Sequence, residues 1–432
     1  MKYQTVKGTH DILPDEVGRW RAVEDLVRRM MAAYHYGEIR TPVFEHTELF
    51  SRSIGMDTDI VGKEMYTFKD AGGRSLTLSP EGTAPVVRAY IQSSLGASSP
   101  QVKLFYIAPM FRQENPQKGR YRQFHQFGME ALGAADAAQD VEIIALAMGI
   151  YGRLGLSGLS LRLNSVGCRA CRPGYRDVLR EFLRERLDDL CSDCRQRYES
   201  NPMRVLDCKR DSCRKRTGDA PLISDYLCSE CDRHFARVRE LLEGLGLRYD
   251  LDGRLVRGLD YYTRTAFEVL SGELGAQDAL GGGGRYDDLV EMLGGPPTPA
   301  VGFAAGMERL LLVLSRKELI RSQPDRVDLF AILLGAPAQE AGLRILKELR
   351  DRGMSAETDY LGRSMRAQMR AANRLSVRFA IILGEQELSK KRLILKDMEK
   401  GQQEEIQLDE AVETICRSLE SAAQESGSPS HG

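Results

Sequence analysis

The stretch from Phe111 to Glu130, FRQENPQKGRYRQFHQFGME, constrains this chain more than any other. Asn115-Pro116 and Gly119 sit at its middle, where proline fixes φ and glycine tolerates positive φ, so the chain has to turn there. The text on either side reads as strand, and the whole is therefore expected to be a hairpin. Residues two apart on a strand share a face, which predicts that Arg120, Arg122 and Phe124 point the same way. Arg112, Glu114, Lys118, Gln126 and Glu130 fall within the same unit, with Phe111, Tyr121 and Phe127 between them. Guanidinium forks beside an aromatic ring suit a nucleotide, which offers phosphate oxygens and a base that stacks. A solvated basic hairpin with an apolar inner face would be written the same way.

At 432 residues the chain exceeds one ordinary domain. Its net charge is −1, so any contact with nucleic acid must use local basic patches instead of a bulk cationic field. No apolar run reaches the roughly 18–20 residues of a membrane span, and the start, MKYQTVKGTHDILPDE, lacks the apolar centre of a secretory signal. Nine cysteines without an export signal are expected as reduced thiols or metal ligands, not disulfides. A cytoplasmic protein with no membrane contact is expected.

Along the chain, Val17, Trp20, Val23, Leu26, Val27, Met30 and Met31 repeat at helical spacing after Pro14-Asp15. Gly37 is expected to close that helix, and the following text to form a strand containing Pro42, hence an edge strand. A hairpin through Gly72-Gly73 then leads to a helix starting near Pro80-Glu81-Gly82-Thr83, and a helix is expected from Asp136 to Leu154. From about 168 to 246 the character changes to an inserted, largely helical module. It holds eight of the nine cysteines in close pairs: Cys168/Cys171, Cys191/Cys194, Cys208/Cys213 and Cys228/Cys231. Such spacing suits one or two tetrahedral thiolate zinc sites; structural zinc stays open here and no residue is assigned as a ligand. Beyond a polar connector ending at Asp325, strands and helices alternate, predicting a small α/β domain with a mostly parallel sheet. The polar residues from 422 to 432 are expected to be disordered.

Four further pieces carry chemistry. Pro80-Glu81-Gly82-Thr83 offers a carboxylate and a hydroxyl at a helix start, fit for an ammonium group or for a plain cap. Arg257-Gly-Leu-Asp-Tyr261-Tyr262-Thr is too polar for an ordinary strand. Gly281 to Gly284, followed by Arg285-Tyr286, lets backbone approach a ligand closely, yet fits neither of the glycine-rich nucleotide fingerprints. Gly302 to Leu312 is a small-residue strand entering an apolar helix that carries Arg309 in its first turn.

Together these pieces resemble the signature set of the class II aminoacyl-tRNA synthetases and, among them, the histidyl-tRNA synthetase family. The second class motif stands here as Phe111-Arg112-Gln113-Glu114 and Arg120-Tyr-Arg-Gln-Phe124. The Pro42 region matches the first motif, and Gly302 to Leu312 the third. RGLDYYTRTAFEV and ALGGGGRYDDL are similar to segments peculiar to the histidyl family. The likeness runs from Lys7-Gly-Thr-His-Asp to about residue 420; Asn115 departs from the arginine many members carry there.

The resemblance implies an α+β fold: an antiparallel sheet flanked by helices over 1–325 with the insertion, then an α/β anticodon-binding domain over 326–421. It implies ATP-dependent joining of L-histidine to tRNA(His) through a histidyl adenylate, in a homodimer, with Mg²⁺ accompanying ATP. Arg112 and Arg257 become the catalytic arginines. Glu81, Thr83, Arg112, Gln126, Glu130, Arg257, Tyr261, Tyr262 and Tyr286 become the histidine pocket. Arg112, Glu114, Arg120, Phe124 and Arg309 become the ATP site, and Gln117 and Lys118 contacts to the tRNA acceptor end. Two other readings exist: a non-catalytic paralogue serving as regulatory subunit of ATP phosphoribosyltransferase, and a zinc-ribbon nucleic-acid module that explains only residues 168 to 231.

Overall fold

A computed structural model of the chain describes residues 3–55, 58, 60–117, 119–274, 279–320 and 327–425. The chain divides into two compact units, Met1–Ser322 and Gln323–Gly432. The expected boundary near Asp325 lies outside the described residues.

The first unit is built on an eight-stranded sheet of β1 (Gly37–Glu38), β2 (Val102–Phe111), β3 (Gln123–Leu132), β4 (Ser160–Ser165), β5 (Asp250–Leu251), β6 (Thr263–Leu270), β7 (Ala279–Arg285) and β8 (Ala300–Gly306). The strand order is β1-β2-β3-β8-β7-β6-β4-β5. β1 and β5 add parallel pairs at the two edges; every pairing between them is antiparallel. One face carries Phe105, Phe127, Met129, Phe267, Val301 and Phe303 into the main core, with the Phe267 and Phe303 rings stacked at 5.8 Å. Helix Pro14–Ala33 covers that core through Trp20, Val23, Val27 and Met31, a 3–4 spacing that buries one stripe. Helix Ala137–Arg153 adds Ile143, Ile144 and Ile150, and its N-terminus is capped by Asp136, which accepts from the Ala138 N–H at 2.8 Å.

Two expectations near the start need correction. The first helix ends at Ala33, where His35 turns the chain at φ +62°; Gly37 opens β1 instead of closing the helix. Pro42 belongs to no strand. It separates β1 from a short strand, Phe44–His46, at the edge of a three-stranded sheet with Ser75–Leu78 and Thr67–Lys69. A proline there removes no ladder hydrogen bond.

The insertion is helical as read, with helices Arg172–Arg184, Ser192–Ser200, Asp211–Arg216 and Ser229–Gly244. It is fastened at both ends. Phe235, Val238 and Leu242 of its last helix enter the main core, while Tyr175, Leu179 and Leu183 of its first pack with Tyr261, Tyr262 and Tyr286.

A buried polar knot ties these layers together. The Asp140 carboxylate, with no exposed surface, pairs with Arg285 at 2.6 Å and with His234 at 2.7 Å. It also accepts from the Thr265 hydroxyl at 2.5 Å. Arg285, equally buried, donates onward to the Ala134 and Asp136 carbonyls and to Asp287. One side chain thus joins a core helix, β6, β7 and the insertion's last helix.

The second unit carries a five-stranded sheet in the order Ala356–Thr358, Leu329–Leu333, Phe379–Leu383, Arg392–Asp397, Gln403–Gln407. The first three strands are parallel and the last two antiparallel, so the sheet is mixed where a mostly parallel one was expected. The central strands are buried on both faces, which gives the continuous apolar text of VDLFAILLG and RFAIILG. The final hairpin alternates with exposed polar residues and escaped the reading. Helix Ala411–Glu425 continues past 422, where the tail was expected to begin; residues 426–432 lie outside the described set.

Asp140→Ala should lower the stability of the first unit by about 3–5 kcal/mol, the scale for leaving a buried partner charge uncompensated. The midpoint of the first denaturant transition measures it; a shift no larger than that of a surface Asp→Ala control would show the knot to be dispensable.

Candidate active site

The opposite face of β3 presents Phe124, Gln126, Gly128 and Glu130, the residues between those that enter the core. The first two line a cleft of about 240 Å³ together with Arg112, Arg120, Arg257 and Arg309. The Arg112 guanidinium lies over the Phe124 ring at 5.3 Å and donates to the Pro80 carbonyl at 2.9 Å. Glu114 stands between two arginines, 3.1 Å from Arg120 and 3.7 Å from Arg112. Arg309 reaches back from the first turn of helix Met307–Arg316 to the Ala279 carbonyl at 2.8 Å. Burial and the neighbouring charge of Arg120 push its pKa down. Like charges held this close in a cleft form a field that an anion relieves.

Arg257 lines the cleft and stands beside a buried polar cluster. Its guanidinium pairs with Glu268 at 2.5 Å and lies 5.9 Å from the centre of the Tyr262 ring. Burial works against its charge, but Glu268 and Tyr262 outweigh it and the pKa is raised. A Cβ at Gly282 would overlap this guanidinium, and one at Gly302 would run into the Glu130 carboxyl. The glycines at these two positions make room for the charged groups.

The buried cluster gathers Glu81, Thr83, Glu130, Tyr106, Tyr261, Tyr262 and Tyr286. Thr83 donates to Glu130 at 2.7 Å and Tyr286 donates to its other oxygen at 2.5 Å. Burial pushes Glu130 up from 4.5 to about 8, helped by the charge of Glu81 and opposed by those two hydrogen bonds. Glu81 is raised by burial as well, although it accepts from the Thr83 and Ala84 N–H groups at 2.7 and 2.9 Å. The cap reading of Glu81 therefore holds, and the same carboxylate faces the cluster's charge balance. The Gln126 Oε1, buried, accepts no hydrogen bond among the described residues. Two buried carboxyls and four phenols, with the Gln126 amide oxygen at the cleft beside them, offer the chemistry that suits a small cationic, hydrogen-bonding group.

The chain matches the family described as Histidyl-tRNA synthetase over residues 8–193 and 202–310, and that described as Anticodon binding domain over 329–417. It is 52% identical over 410 residues to the histidine–tRNA ligase of Natranaerobius thermophilus, spanning 95% of this chain and 97% of that one. With the histidine–tRNA ligase of Desulforudis audaxviator it shares 53% over 411 residues, 95% and 98% of the two chains. The crystal structure of apo Staphylococcus aureus histidyl-tRNA synthetase superposes with a TM-score of 0.81 at 41% identity, covering 96% of this chain and 99% of that one. The chain belongs to the histidyl-tRNA synthetase family.

The residues that the resemblance singled out thus fall into two adjoining groups. Arg112, Glu114, Arg120, Phe124, Gln126, Arg257 and Arg309 share the cleft, and Glu81, Thr83, Glu130, Tyr261, Tyr262 and Tyr286 the buried cluster beside it. Gln117 is exposed at the hairpin tip, exchanging backbone hydrogen bonds with Arg120; Lys118 lies outside the described residues. Arg122 is a correction. It leaves the face of Arg120 and Phe124 and packs on Gly8 and Pro116, because β3 begins only at Gln123 and the period-two rule does not reach the turn. Three functional neighbours were missed: Tyr106, opposite Gly128 on β2; Glu268, the partner of Arg257; and Glu308, which accepts from the His125 N–H at 2.8 Å. Glu268 stood two residues beyond Thr265-Ala266 in the family-specific segment, and an unpaired acid in that apolar strand was the available signal.

A carboxyl that ionises near 4.5 in the unfolded chain and near 8 in the fold keeps a proton that the unfolded chain has released. Stability should therefore fall as pH rises through that window, with the full cost, on the order of a few kcal/mol, present above its upper end. Glu130→Gln should flatten this fall and be the more stable protein at alkaline pH. Thermal unfolding of both proteins across the window checks it; parallel curves would show that Glu130 does not carry the effect.

Proposed function

We propose that the chain joins L-histidine to tRNA(His) at the expense of ATP, through a histidyl-adenylate intermediate. The observation that carries this reading is the junction at Arg257: a cationic, aromatic-walled cleft adjoins a buried cluster of carboxyls and phenols beside one guanidinium. ATP requires the first and histidine the second, and their reacting atoms meet at the boundary.

Histidine's own carboxylate is the nucleophile, so no activated side chain is needed; the work is alignment and charge stabilisation. The carboxylate attacks the α-phosphorus, the bond from that phosphorus to the α,β-bridging oxygen breaks, and pyrophosphate leaves. A terminal hydroxyl of the tRNA then attacks the acyl carbon, and AMP leaves. In this assignment Arg112 bridges the carboxylate and the α-phosphate, and Arg257 meets the developing charge from the other side. Arg120 and Arg309 hold the β- and γ-phosphates, Phe124 stacks on adenine, and Glu114 reads its amino edge. Glu114 first has to yield its arginines, which the phosphates take over. Glu81, Gln126 and Glu130 accept from the ammonium and imidazole, with Thr83, Tyr261, Tyr262 and Tyr286 completing the pocket. A site that buries polar partners for a small ring rejects analogues lacking it, because those partners are then left unpaired. Glu268 lines the cleft and would offer a hard oxygen that suits the Mg²⁺ accompanying ATP; the metal would neutralise phosphate charge there.

Gln117 at the exposed tip, with Lys118, is assigned to the tRNA acceptor end, and the second unit to the anticodon. A homodimer is the proposed assembly. Val43, Phe44 and Phe68 are exposed on the short sheet that holds the edge strand Phe44–His46, and such apolar edges are normally covered. Among the described residues no helix is long and apolar enough to cross a membrane, and a cytoplasmic location is proposed. The paralogue reading, in which histidine is sensed but not activated, is disfavoured by the anticodon-binding match and by the paired Arg257 in the cleft.

Arg257→Ala should slow histidine-dependent ATP–pyrophosphate exchange by on the order of 10²–10³, the scale for losing one transition-state donor. Exchange close to that of the unaltered protein would overturn the assignment. Histidine binding without any exchange in the unaltered protein would favour the regulatory reading.

A further inference from the structure

The eight cysteines of the insertion converge into two separate tetrads, Cys168/Cys171/Cys228/Cys231 and Cys191/Cys194/Cys208/Cys213, and within each the four sulfurs lie within 4.8 Å of one another. We propose that each tetrad holds one structural Zn²⁺ as a tetrathiolate site, so that the chain carries two.

The dimensions fit. Zinc–sulfur bonds of about 2.3 Å at tetrahedral angles place sulfurs about 3.8 Å apart; Cys168 lies 3.7 Å from Cys171 and 3.9 Å from Cys228. A disulfide would need about 2.0 Å. An iron–sulfur cluster would spread its thiolates further, since they are divided among two or four irons instead of meeting at one ion. Packing alone gives no reason for four sulfurs to converge twice, because a buried free thiol behaves as a small apolar group. Cys416, in the second unit, is the contrast: it is buried with only the Met354 sulfur near its own, at 3.7 Å.

The surroundings are those of thiolates. Cys171, Cys191 and Cys228 each stand immediately before a helix, Arg172–Arg184, Ser192–Ser200 and Ser229–Gly244 respectively, where the helix dipole favours negative charge. Backbone N–H groups donate to the sulfurs: Cys228 to Cys171 at 3.1 Å, Ala170 to Cys168 at 3.4 Å, and Cys191 to Cys213 at 3.3 Å. Such second contacts orient metal ligands and spread their charge.

The two sites are nested and do different work. The first joins Cys168 and Cys171 to Cys228 and Cys231, clasping the two ends of the insertion at its base. The second closes the loop inside it. The first also borders the segment that bears Tyr261 and Tyr262. The Arg264 N–H donates to the Gly167 carbonyl at 2.8 Å, and the Arg172 guanidinium donates to the Val166 carbonyl at 3.0 Å and to that of Tyr262. Asn201 adds a bond to Asp260 at 2.8 Å.

Metal analysis of the full-length protein, purified without chelator, tests this directly and independently of any catalytic assay. Two zinc ions per chain are expected, with Cys171→Ser and Cys194→Ser each losing one. Cobalt exchange should give the visible bands of a tetrahedral tetrathiolate. The eight cluster thiols should resist alkylation until a chelator strips the metal, a readout that stands even if a variant fails to fold. Trace metal in folded protein, iron in place of zinc, or eight thiols that alkylate at the same rate with and without chelator would each overturn the proposal.

Discussion

Everything at the candidate site depends on the pleat of β3. Its odd-numbered residues, Phe127, Met129 and Ala131, are locked in the main core, so Phe124, Gln126, Gly128 and Glu130 have no choice of face. A one-residue slip would bury the polar set and expose the apolar one, which the core forbids. Register therefore aims an aromatic ring, an amide and a carboxyl in a row, running from the open cleft into the buried polar cluster beside it. The strands on either side add to that row. β2 places Tyr106 beside Gly128, and β8 places Gly302 beside Glu130.

Along this row the sign of the charge reverses. The cleft end crowds Arg112, Arg120 and Arg309 around Glu114; the other end buries Glu81 and Glu130 among phenols. Neither end is comfortable alone, as the lowered pKa of Arg309 and the raised pKa of Glu130 both express. Perturbed groups of opposite sense within one site are the usual mark of a place built for a ligand. A substrate with a cationic and an anionic end relieves both at once, and the Arg257–Glu268 pair at the junction is the hinge of that exchange.

Sequence reading saw the site's chemistry better than its geometry. Residue types and the Pro–Gly turn announced a hairpin with arginines and a ring, but its strands end at Phe111 and resume at Gln123, so Arg112, Glu114 and Arg120 sit in the connection and not in the strands as read. The direction of Arg122 was lost because alternation holds only inside a ladder, and the ladder starts one residue later, at Gln123. Tyr106 could not be picked out because it looks like an ordinary strand residue until pairing shows what lies across from it, whereas the acid at Glu268 left a signal in its strand that went unused. Asp140 is the sharper case. Within helix Ala137–Arg153 it reads as an unremarkable acid near a helix start, and only the convergence of β6, β7 and the insertion upon it reveals a buried charge centre. In the second unit, continuous apolar runs betrayed the buried parallel strands, whereas the half-exposed final hairpin gave no comparable signal.

The cysteines show the same limit and suggest why the insertion has them. Pair spacing fixes that two neighbours point together, but not which pairs meet; the nested arrangement, outer with outer and inner with inner, appears only in three dimensions. The helices it joins are short, and helices of that length are marginal without tertiary support. Among the described residues they have no strand between them to supply a ladder. Cross-links at fixed points add to the modest buried cluster of Tyr175, Leu179, Leu183, Val205 and Ile223 that so small a module builds. Placing one at the base, next to the segment that carries Tyr261 and Tyr262, lets the insertion hold those phenols in place without contributing a side chain to the pocket itself.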